Sequence, residues 1–189
     1  DTKVVHITDS HFTSNWALRD GGAIWLKNAG AGSGINNCFF RSNRAGSEVA
    51  YRGAGGAVRV LDGVDLDHSK NKFCENEAAY GGAIALTGMA NLQKISDCEF
   101  EDNQSYYEGG AIFYNHGELQ TMGCTFSRNT AGLHGGAIYS GDGGGLRVDN
   151  CTFNHNVSWN LGGAVYNGFT AGIWGSAFTG NQADEGGAI

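Results

Sequence analysis

Among the residues directly ahead of one recurring tetrapeptide, Gly-Gly-Ala-Ile or Gly-Gly-Ala-Val, are Tyr80, Glu108, His134 and Glu185, all able to carry or orient protons. A glutamate and a histidine at equivalent places are material for general acid and base work. Cleaving a glycosidic bond needs two carboxylates roughly 5–9.5 Å apart, or an Arg or Lys base beside acidic residues in one groove. A second group, Asp62, Asp65, Asp67 and His68, has the oxygen-rich character that suits calcium. Neither group recurs with the tetrapeptide, and charged residues at chain corners are ordinarily just solvated. No catalytic, cofactor-binding or metal-ligating residue is therefore assigned. The Gly-Gly-Ala stretch is no nucleotide loop, because it lacks the Lys-Ser/Thr ending and no helix follows it.

The elements that would position these residues are repeats. Phe-x-x-Asn begins at Phe12, Phe40, Phe73, Phe100, Phe126, Phe153 and Phe178, and closes at Asn15, Asn43, Asn76, Asn103, Asn129, Asn156 and Asn181. Each copy is followed by Gly-Gly-Ala, and the steps between successive Phe residues are 28, 33, 27, 26, 27 and 25. A fixed period in the twenties predicts a solenoid. Short β-type runs such as Ala-Ile-Trp-Leu and Ala-Val-Arg-Val, separated by Gly, Asn, Asp and Ser, exclude leucine-rich and helical repeats and describe one coil of a parallel β-helix. About seven coils of ~27 residues would stack at about 4.8 Å each and span roughly 34 Å. Residues 1–189 read as a single array. It ends on Gly-Gly-Ala-Ile189, in mid-coil, which gives the expectation of a segment of a longer array.

Strand alternation then assigns faces. With Ile24, Val58, Ile84, Ile112, Ile138 and Val165 inward, the next residues, Trp25, Arg59, Ala85, Phe113, Tyr139 and Tyr166, point outward. Arg59 fixes the parity, since an unpaired inward guanidinium would cost several kcal/mol. Trp25, Phe113, Tyr139 and Tyr166 are the candidate partner-binding row. The Phe and Asn of each Phe-x-x-Asn are read as inward structural ladders: stacked rings, and amides that satisfy a bend and bond to the next coil. Cys38, Cys98, Cys124 and Cys151 stand two residues before a Phe, where other copies carry Ser10, Asn71 and Ser176; Cys74 is out of phase. In register, neighbouring Cβ atoms sit about 4.8 Å apart, beyond the roughly 3.5–4.5 Å of a disulfide, so these are small buried thiols. Six extra residues between Asn43 and Gly55 predict a protruding loop, and Gly141–Gly145 a flexible excursion. Of the sequons at Asn103, Asn150 and Asn156, only Asn150 escapes the inward ladder.

Composition sets outer bounds. The chain has 32 Gly and no Pro, with aromatic residues at 11%, so the glycines are positions in a structure rather than linker. A net charge of −7 without basic clusters excludes a nucleic-acid footprint, and apolar runs of four or five residues are far short of the roughly 20 needed to span a bilayer as a helix.

Paired Phe-x-x-Asn and Gly-Gly-Ala-[Ile/Val/Leu] motifs resemble the passenger repeats of the chlamydial polymorphic outer membrane proteins, and related repeats of other large surface proteins. The likeness runs from Phe12 to Ile189. It implies a right-handed parallel β-helix displayed outside the cell. In that family the passenger leaves through a C-terminal β-barrel, which this sequence lacks, and takes part in adhesion. The reading is an all-β, non-enzymatic extracellular or cell-surface scaffold, an adhesin passenger or a component of a surface fibre. Its partners would be copies of itself, other surface proteins or glycans. The alternative is a polysaccharide lyase or glycosidase of the β-helix type.

Overall fold

A computed structural model describes residues 4–46, 52–62, 67–88, 92–141 and 143–189. The strands are short and all pair in parallel, in four sheets. The first sheet runs from His6–Thr8 through Gly34–Asn36, Asp67–Ser69, Leu92–Ser96, Gly117–Met122 and Gly144–Asp149 to Thr170–Trp174. The second holds the Phe strands, from His11–Thr13 to Ala177–Thr179. The third follows the Asn ladder, from Trp16–Ala17 to Val157–Ser158, and the fourth follows Gly-Gly-Ala, from Ile24–Lys27 to Val165–Asn167. Six turns carry all four strands, against the expected seven. In the last turn Gln182 and Glu185 make single bridges to Val157 and Leu161 instead of strands.

The register is the one the motifs require. Phe12 pairs with Phe40, and each later Phe with the next, through to Phe178. The rings stack 4.7–4.9 Å apart and within about 6° of parallel. The five inner rings are buried, and Phe12 and Phe178 are half-buried. Offset stacking adds roughly 0.5–1.5 kcal/mol per pair to what burial contributes. The Asn ladder is equally continuous. Asn76 Nδ2, for example, donates to Phe40 O (3.2 Å) and to Asn103 Oδ1 (2.9 Å), and that oxygen also accepts the Asn76 backbone N–H (3.1 Å). Each amide thus satisfies the coil on either side of it, which removes the cost of burying it.

The spacing of three between Phe and Asn has a backbone cause. Three residues along an unbroken strand would put Asn on the opposite face from Phe. The residue before each Asn (Ser14, Ser42, Glu75, Asp102, Arg128, His155 and Gly180) has φ between 51° and 63°, and this left-handed corner returns Asn to the interior. A matching corner lies five residues earlier, at Asp9, Asn37, Lys70, Asp97, Gly123, Asn150 and Gly175. Each non-Gly residue there costs roughly 1–2 kcal/mol, which the ladders on either side offset.

The two glycines of Gly-Gly-Ala solve different problems. Gly109 needs φ of 66°, whereas a Cβ on Gly110 would lie 2.0 Å from the carbonyl oxygen of Gly136 in the next coil. The position two residues before Phe is a ladder too. Cys38 N–H donates to Asn71 Oδ1 (2.8 Å), Asn71 N–H to Cys98 Sγ (3.3 Å), Cys124 N–H to Cys151 Sγ (3.4 Å) and Cys151 N–H to Ser176 Oγ (3.0 Å). Cys, Asn and Ser interchange because each is small and both donates and accepts. All five cysteines are free and buried. The Cys151 thiol is held well above its ordinary pKa, first by its hydrogen bond with Cys124 and then by burial.

Several expectations need correction. Ala85 occupies an outward position but is fully buried, flanked in register by the longer Arg59 and Phe113. Gly144 and Gly145 of the expected excursion belong to a strand, paired with Gly117 and Glu118, and Gly144 N–H donates to Gly141 O (3.2 Å), while Asp142 lies outside the described residues. Glu48 to Tyr51 of the expected loop, and Asp65, lie outside the described residues.

Candidate functional site

The corner that precedes Gly-Gly-Ala stacks Ala54, Tyr80, Glu108, His134, Leu161 and Glu185 in one vertical row. Glu108 and His134 are therefore neighbours, as their shared repeat position implies. Burial raises the Glu108 carboxyl above its usual range. Glu185 stands three coils away from Glu108, about 14 Å along the stack, outside the spacing that two-carboxylate hydrolysis uses.

This row leans on the outward row of the fourth sheet. Phe113, Tyr139 and Tyr166 stack face to face at 5.2 and 5.1 Å. His134 lies over Tyr166 at 5.0 Å, and Tyr80 packs edge-on against Phe113 at 5.3 Å and tilted against Tyr107 at 5.2 Å. The result is a half-buried aromatic seam whose ring faces are occupied by one another, leaving edges toward solvent. Trp25 is not part of it. Arg59 and Ala85 intervene, and Trp25 is 51% exposed. Arg59 lies flat on this face, donating from Nη2 to Thr87 Oγ1 (2.6 Å), and desolvation lowers its pKa.

The second sequence-derived group is dispersed by strand alternation. Asp67 is exposed on the outer face of the first sheet, while His68 is fully buried between Ile35 and Ile95. Neither imidazole nitrogen of His68 has a hydrogen-bond partner, and burial holds its pKa down at about 4. No cluster of three or more metal-ligating side chains occurs among the described residues.

Cys74 is the buried thiol of the outer surface of the second sheet, among Lys72, Glu101 and Arg41, and burial raises its pKa to about 11. Around it, Arg41 pairs with Glu75 (2.9 Å), Lys72 with Glu99 (3.0 Å), and Arg128 with Glu101 and Asp102, so charges on this face are matched between coils.

A model of the right-handed β-helix region matches residues 1–183. The chain belongs to the right-handed β-helix family. No curated protein and no solved structure matches it. Within this β-helix the surface feature that sequence reading missed is a depression of about 440 Å³ on the third sheet, walled by Tyr106, Tyr107 and Trp159. Its signal in the sequence is faint. Tyr106, Gly132 and Trp159 each follow the small residue of the third sheet, but share no residue type.

Proposed function

We propose that this β-helix is a non-enzymatic extracellular or cell-surface scaffold, of the kind found in adhesin passengers and surface fibres. The observation that carries the reading is the continuity of its ladders. Phe, Asn and the Gly-Gly backbone contacts pass from coil to coil, so every inner turn is braced by both neighbours. Such a stack is a rod whose stability accumulates along its length. Its second sheet carries charges matched between coils and its fourth a self-stacked aromatic seam, which suits a solvated shaft. The likeness of the repeats to the chlamydial polymorphic outer membrane proteins supports the same placement, and self-association, other surface proteins or glycans are the partners it suggests.

Labelling of intact cells with an antibody against this β-helix tests the placement. Signal without permeabilisation supports it, and signal only after permeabilisation overturns it. Electron microscopy of the protein should show rods or fibres rather than compact particles.

A further inference from the structure

Ser105, Ala131 and Ser158 are successive rungs of the third sheet, so the residues after them, Tyr106, Gly132 and Trp159, stand one above another. Tyr106 and Trp159 are thus two coils apart, about 10 Å, and the residue between them in the row, Gly132, has no side chain. That gap is enforced, because a Cβ on Gly132 would lie 2.1 Å from the carbonyl oxygen of Tyr106. Tyr107 adds a third aromatic wall, and Gln104 and Thr130 present an amide and a hydroxyl from paired outward positions. The Tyr106 hydroxyl donates to Glu77 Oε1 at 2.5 Å, which fixes that ring. Trp159 is 72% exposed, and among the described residues no ring stacks on it, in contrast to the seam on the fourth sheet.

We propose that this depression binds a neutral carbohydrate of one or two sugar units. A pyranose has an apolar C–H face and a rim of hydroxyls. The unstacked indole face of Trp159 takes the first, and the amide and hydroxyl take the second. No ionised side chain lines the depression, and a net charge of −7 repels anionic sugars. An extended peptide would need an open strand edge, but Gln104–Glu108 and Thr130–Ala131 are each paired on both sides. The size falls within the usual range for small-ligand sites, roughly 300–1,000 Å³. The proposal rests on the surface-scaffold reading only for the ligand's setting. Titration of the purified chain tests the site, whereas cell labelling tests the placement, so the two can fail separately.

The test is calorimetric titration of the full chain with lactose, cellobiose and N,N′-diacetylchitobiose as neutral probes and digalacturonate as the charged one. Saturable binding of at least one neutral disaccharide is expected. Trp159→Ala should weaken it about tenfold, the equivalent of one aromatic contact of roughly 1.4 kcal/mol. Trp174→Ala, on the first sheet, should leave it unchanged, and both variants should melt like the parent. No binding by any neutral probe, preference for digalacturonate, or equal loss in Trp174→Ala would overturn the proposal.

Discussion

Acid should loosen this β-helix through one residue, His68. Its side chain continues an inward row made of Ile7, Ile35, Ile95, Thr121, Val148 and Ile173, and neither ring nitrogen is hydrogen-bonded. The folded state therefore holds the imidazole neutral, with its pKa lowered from 6.5 to about 4 by burial. An unfolded chain takes up the proton near pH 6.5. Between there and pH 4 it binds more protons than the folded chain, and stability falls as pH falls. Above pH 6.5 the contribution is intact, and below pH 4 both states are protonated and the loss is complete. A difference of about 2.5 pH units corresponds to roughly 3 kcal/mol, a large part of a typical domain's stability. The measurement is a urea-denaturation series from pH 7.5 to 4.0 on the parent and on His68→Leu. Carboxylates such as Glu75 and Glu101, whose pKa values hydrogen bonds from Arg41 and Arg128 lower, also weaken the fold in acid. Because both proteins carry them, the difference between the two curves isolates His68. At pH 7.5 the leucine variant should equal or exceed the parent, since it removes two unpartnered polar atoms from the core. Parallel curves for the two proteins would refute the argument.

Other outcomes follow from the ladders and corners. Asn103→Ala strands the Asn76 backbone N–H and the carbonyl of Phe73, and chemical denaturation should show a loss of about 2–4 kcal/mol. Gly110→Ala places a methyl 2.0 Å from a backbone oxygen that cannot move without displacing a coil; a loss of about 3 kcal/mol or more is expected, with a broadened melting transition. Lys70, exposed and at φ of 54°, occupies a corner better suited to Asn, so Lys70→Asn should raise stability by about 0.5–1 kcal/mol, read as a higher denaturation midpoint. A destabilised Lys70→Asn would show that the lysine side chain contributes more than its backbone costs.

The sequence by itself determined the solenoid, its period, its register and the inward placement of Phe and Asn. It could do so because each coil meets only copies of itself. The same packing problem recurs every turn and receives the same residue, so Phe126 announces Phe153. Alternation likewise placed Ile112 inward and Phe113 outward. What only the tertiary structure decided concerns positions where unlike residues share one role, or where neighbours come from different coils. Lys70, Glu75, Arg128 and His155 all hold left-handed corners, though nothing in their chemistry marks them for it, because the conformation is imposed by the ladders on either side. Chain proximity groups His68 with nearby aspartates, yet adjacent residues of a strand face opposite ways, and it lies in the core while Asp67 does not. The aromatic row read as a binding surface spends its ring faces on itself. The unstacked indole of Trp159 gains neighbours only when winding brings Gly132 and Tyr106, 27 and 53 residues away in the chain, beneath it.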